Sequence, residues 1–116
     1  ESDEALSVIR KSTPVLEASS HVDIVMVDPP GQSPERSDPG GAISLMLARR
    51  GIKAEVSILA KTLPTVAEVI ERFAREHAND LIVMGAYGHS RFREALFGGA
   101  TRDMLARSTL PMLMAH

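Results

Sequence analysis

The sequence predicts a doubly wound α/β domain built on a parallel sheet, and three observations carry that prediction. Helical and extended patterns alternate along the 116 residues, the order that gives parallel strands covered by helices. The run Leu81-Ile82-Val83-Met84 is apolar without alternation, as a strand covered on both faces requires. Glycines then cluster directly beyond that run, at Gly85 and Gly88 and again at Gly98-Gly99. In such folds ligands bind outside the carboxyl ends of the strands.

Each element has its own justification. Ser2 is placed to cap a first helix whose opening turn carries Asp3 and Glu4, favourable beside the positive helix end. Its apolar side includes Ala5, Leu6, Val8 and Ile9, and Pro14 is expected to end or kink it. Val22 to Val27 reads as a strand, mostly apolar on both faces, stopped by Asp28-Pro29-Pro30. Gly31 to Gly40 has no apolar period and reads as a long loop. A helix follows near Ala42 to Arg50 and ends at Gly51. Ile52 to Leu59 sets Ile52, Ala54, Val56 and Ile58 against Lys53, Glu55 and Ser57, the period of a half-exposed strand at a sheet edge.

Thr65 to His77 carries the clearest helical signal. Thr65 and Glu68 form a capping-box pair, and Val66, Val69, Ile70, Phe73 and Ala74 recur on one stripe. Asp80 to Gly85 reads as a central strand in which full burial of Ile82 and Val83 contributes roughly 1.5–3 kcal/mol each. Arg91 to Leu96 reads as a short helical turn, Ala100 to Ser108 as the last helix, and Leu110 to Ala115 as the last strand, with Pro111 marking an edge. Folds of this kind normally begin on a strand that becomes the middle of the sheet, whereas this chain begins on a helix. Residues 1–116 are therefore expected to form one domain whose first central strand is absent, which leaves two apolar strand edges unpaired.

Composition bounds the function. An apolar content of 44% and a net charge of −2 fit a single globular domain and give no electrostatic reason to expect nucleic acid or an anionic membrane surface as partner. The chain has no cysteine, which removes disulfides, thiolate metal sites and cysteine nucleophiles. No signal peptide or membrane-spanning run is visible, so the expected location is the cytoplasm.

The glycine segment carries the chemistry. Gly85 and Gly88, nine intervening residues, then Gly98-Gly99 and Thr101 bracket the passage from a strand into a helix. Glycine lets backbone N–H groups approach a ligand with no Cβ in the way, and a helix N-terminus favours phosphate. A lone glycine pair more often serves a tight turn or helix cap; the full spacing between strand and helix favours a phosphate cradle. The Gly-Lys-Ser/Thr of a P-loop and the G-x-G-x-x-G of a dinucleotide fold are both absent. No nucleophile, base and acid stand at an interpretable spacing, so no catalytic residue is assigned. His89 reads as an exposed loop histidine. His21, His77 and His116 show no acidic or histidine partners at metal spacing, and no metal site is expected. The methionines read as core filler.

The phrase Ile82-Val83-Met84-Gly85-Ala86-Tyr87-Gly88-His89-Ser90-Arg91, the G-x-x-G, nine-residue, G spacing and the ending Pro111-Met112-Leu113-Met114-Ala115-His116 resemble a universal stress protein domain. The resemblance is specific in residues 80–116 and extends more weakly over nearly the whole chain; the early helix and strand are most similar to the second half of tandem proteins. It implies a flavodoxin-like, Rossmann-like parallel sheet, a two-fold dimer through the last strand or pairing with a second similar domain, and in one branch ATP on the glycine motif, with Mg²⁺ only alongside the nucleotide. By the resemblance, Gly85, Gly88 and Gly98 present N–H groups to the phosphates, Gly99 stands in place of the family's serine or threonine, Thr101 offers a hydroxyl and Arg91 a counter-charge. Val27 and Asp28 then lie near the adenine.

Three function classes are compatible with these residues. The first is a stress-response regulatory domain that binds ATP or a related adenine nucleotide. The second is a dimerisation or interaction module of the same family without nucleotide, and the third is a weak ATPase.

Overall fold

The computed structural model describes residues 3–27, 40–85 and 99–115. In chain order they form α1 (Asp3–Lys11), α2 (Thr13–Ala18), β1 (Val22–Val27), α3 (Gly41–Ala48), β2 (Ala54–Leu59), α4 (Val66–Glu76), β3 (Ile82–Gly85), α5 (Gly99–Arg107) and β4 (Met112–Ala115). The strands pair in parallel, β1 with β2 and β3 with β4, as the predicted α/β class requires. The chain divides into two compact units, one running from Thr13 to Ala60 and the other combining Ser2–Ser12 with Lys61–His116.

In the first unit, β1 and β2 pair from Val22 opposite Ala54 to Val27 opposite Leu59. The connection between them contains α3, whose Ile43 and Leu47, one helical turn apart, are buried, while Leu45 on the same helix is exposed. Gly51 adopts φ +77 and ends α3 in a Schellman arrangement. Its N–H donates to the Ala48 carbonyl at 2.9 Å and the N–H of Ile52 donates to the Leu47 carbonyl at 3.0 Å. Leu47 and Ile52 are both buried, supplying the apolar contact that accompanies such an ending. The half-exposed period expected for β2 holds from Ile52 to Val56 and fails at Ile58, which is exposed.

In the second unit, α1 lies against β3 and β4, and α4 lies against α5. The core comprises Val8, Ala67, Val69, Phe73, Ala74 and Met104. The capping box of α4 is present: Thr65 Oγ1 accepts from the N–H of Glu68 at 3.1 Å, and the Glu68 carboxylate accepts from the N–H of Thr65 at 3.0 Å. The helix closes through Ala78, whose φ of 55 is positive. Ala78 donates to the Arg75 carbonyl at 3.2 Å and Asn79 to the Ala74 carbonyl at 2.9 Å.

The interruption expected at Pro14 is present: α1 stops at Lys11, Ser12 intervenes, and α2 begins at Thr13 with Pro14 in its first turn, where a missing N–H costs nothing. One expectation is corrected here. Ile82 and Val83 are half-buried rather than fully buried, because β3 has one strand neighbour, β4, among the described residues. Their contribution therefore falls below the range for full burial. The methionine reading holds in full at Met104 alone, which is 0% exposed; Met26, Met46, Met84, Met112 and Met114 are half-buried.

Candidate functional site

Two pieces of the glycine segment, Gly85 and Gly99, are described, both in the second unit. Gly85 is the last residue of β3, so the segment begins at the carboxyl end of a parallel strand. Gly99 is the first residue of α5, so it finishes at a helix N-terminus. Thr101 lies in that first turn and is buried. Gly88, Arg91 and Gly98 lie outside the described residues, as does the helical turn expected over Arg91 to Leu96.

Helix starts differ in the charge their first turns carry. At α4 the Thr65 hydroxyl and the Glu68 side chain occupy the start, and Glu68 places a carboxylate in the first turn. At α5, as at α2 and α3, the first turn holds no acidic residue. An anion approaching α5 therefore meets the positive end of the helix dipole with no side-chain carboxylate in that turn to oppose it. Gly85 and Gly99 bring no side chain to the strand end or the helix start, which suits close approach of a phosphate to the backbone.

Other sequence-predicted positions are placed as follows. Val27 ends β1 in the first unit. Asp28 lies outside the described residues, as does His89. His77 stacks on Phe73 with ring centroids 3.8 Å apart, and its Nδ1 lies 2.9 Å from the Phe73 carbonyl oxygen, so it finishes α4 structurally.

His21 overturns the expectation that it lacks acidic partners. Its Nε2 lies 2.9 Å from Asp23 Oδ1 and 3.7 Å from Glu55 Oε1. Half of this was legible, because Asp23 follows His21 by two residues where the chain enters an extended run. Glu55 joins through the β1–β2 register, which places it opposite Asp23.

A chain of parallel strands alternating with helices, with Gly85 at a strand's carboxyl end and Gly99 at a helix start, has the architecture of the doubly wound α/β class. Residues 2–116 match the Universal stress protein family. The chain is also 34% identical over 90 residues to Universal stress protein Slr1230 of Synechocystis sp., an overlap of 78% of this chain and 30% of that relative. The chain thus spans under a third of that relative's length. No solved structure gives a significant match. The chain belongs to the universal stress protein family, and its fold is the flavodoxin-like α/β fold.

No helix among the described residues is long and apolar enough to cross a membrane.

Proposed function

We propose that this chain is a regulatory domain that binds ATP or a related adenine nucleotide, with the phosphates held by main-chain N–H groups of Gly85, Gly88, Gly98 and Gly99. The observation that supports it most is the placement of Gly85 as the last residue of β3 together with Gly99 as the first of α5, whose first turn carries no carboxylate. Thr101 belongs to the same turn, and Arg91 supplies a counter-charge from the connecting segment. Mg²⁺ enters only with the nucleotide. Occupancy changes the affinity for a protein partner in the cytoplasm, and no bond is cleaved.

Calorimetric titration of the chain with ATP and Mg²⁺ tests the reading, with Gly98→Val as control. A branched side chain at Gly98 intrudes on the phosphate approach, so binding falls at least tenfold, about 1.4 kcal/mol, while the melting temperature stays near that of the parent. Absence of saturable binding at about 1 mM ATP, which corresponds to roughly 4 kcal/mol, contradicts it.

A second reading is favoured by Gly99, which lacks the hydroxyl of the family's motif, and by β4, which has one strand neighbour, β3, among the described residues. In it the domain pairs with a second copy, or with a similar domain, through the last strand and takes no nucleotide. Light scattering that gives a dimer whose mass and stability ignore ATP supports this alternative.

A further inference from the structure

We propose that His21, Asp23 and Glu55 form a surface site for a divalent transition-metal ion, with Zn²⁺ the best fit. The three residues come together in the first unit by strand geometry. His21 directly precedes β1 and its ring reaches Asp23, the second residue of that strand, and Asp23 is the register partner of Glu55 on β2. One ligand atom from each lies within 4.8 Å of the other two.

The chemistry of the donors selects the ion. One imidazole nitrogen with two carboxylate oxygens suits Zn²⁺ and its first-row neighbours. Ca²⁺ takes six to eight oxygens, and Mg²⁺ prefers oxygen ligands in a strict octahedron. Zn²⁺ bonds of about 2.0–2.2 Å at tetrahedral angles put neighbouring donors roughly 3.4 Å apart. The observed separations of 2.9 Å and 3.7 Å from His21 bracket that value.

Burial divides the labour. The Asp23 side chain is 7% exposed and those of His21 and Glu55 are 50% and 74% exposed. One carboxylate is thus fixed by the fold, while the other two donors stand at the surface and adjust by side-chain rotation. Two carboxylates directly opposite one another in a ladder repel, and a cation between them removes that repulsion. Three protein donors leave a fourth position open to water or to an external ligand, the arrangement of reactive rather than structural zinc sites.

The test titrates the full chain with ZnCl₂, following the ring signals of all four histidines by NMR and the heat by calorimetry, with MgCl₂ as the comparison ion. Saturable one-to-one binding that moves the His21 ring first, and that His21→Gln and Glu55→Gln each weaken at least tenfold, is the expected result. Both substitutions are at exposed side chains, and circular dichroism confirms that the variants keep the parent fold. Movement of other histidine rings instead, binding that both variants leave unchanged, an equal response to Mg²⁺, or no saturation at about 1 mM Zn²⁺, roughly 4 kcal/mol, each overturns the assignment.

Discussion

Gly85 of β3 stands opposite Ala115 of β4, the last step of a parallel register that begins with Ile82 opposite Met112. The N–H of Ile82 donates to the Pro111 carbonyl at 3.1 Å, so Pro111, which has no N–H to give, still contributes its acceptor to the ladder. That register sets Gly85, the first glycine of the segment, as the last residue of β3.

Replacing Gly99 by serine restores the hydroxyl that the family's motif carries. One added hydrogen bond is worth about 0.5–1.5 kcal/mol, so Gly99→Ser is expected to tighten ATP about two- to tenfold in calorimetry. Gly99 is the first residue of α5, where the mid-helix cost of glycine does not apply, so stability is expected to stay level. Unchanged affinity would remove Gly99 from the phosphate site.

Gly40 and Gly51 share a positive φ, +80 and +77, but differ in their surroundings. A Cβ on Gly40 meets Val56 Cγ1 at 3.1 Å, Val56 Cγ2 at 3.3 Å and Met26 Cε at 3.4 Å, whereas one on Gly51 meets nothing within 4 Å. Left-handed backbone costs a non-glycine residue about 1–2 kcal/mol. Gly51→Ala is expected to lose about that much in urea denaturation and Gly40→Ala more, because crowding against Val56 adds to it. Equal losses would show that the contact with Val56 relaxes freely.

Ala78 pays the left-handed penalty that Gly51 avoids, with φ 55 at the corresponding position beyond α4. Ala78→Gly is expected to stabilise the chain by about 0.5–1 kcal/mol, the left-handed cost less the extra freedom glycine gains in the unfolded chain. For a domain of this size that raises the melting temperature by about 2–6 °C. A lower melting temperature would contradict the backbone account of this turn.

Thr65→Ala removes the acceptor for the Glu68 N–H and one half of the reciprocal cap. The expected loss is about 1 kcal/mol, read from the midpoint of chemical denaturation. Thr62, outside the helix, accepts from Arg72 Nη2 at 2.7 Å at an exposed position, and Thr62→Ala is expected to change the midpoint little.

What was legible in the sequence is what depends on near neighbours. Thr65 and Glu68 are three residues apart, and the stripe through Val69 and Phe73 repeats every turn, so α4 was readable from spacing alone. The buried Ala67 escaped because a methyl group adds little to an apolar pattern although it fits a close contact well. Glu55 escaped His21 because the register that joins them is fixed by the pairing of β1 with β2, which no local pattern encodes. The half-burial of Ile82 and Val83 was misread for a related reason, since an apolar run states what a strand tolerates and not how many neighbours it has. At the candidate site the apolar run placed the strand's end at Gly85 as found, while the last helix begins at Gly99, one residue before the expected Ala100. The side-chain-free approach to the backbone is a property of the glycines themselves.

The most direct test of the phosphate cradle is an amide NMR titration of the chain with ATP and Mg²⁺. Of the eight glycines in the sequence, Gly85, Gly88, Gly98 and Gly99 are expected to shift together and saturate with one affinity, while Gly40 and Gly51 stay in place. Shifts spread evenly over all eight glycines, or none at about 1 mM nucleotide, near 4 kcal/mol of binding, would contradict the cradle and leave the glycines as turns.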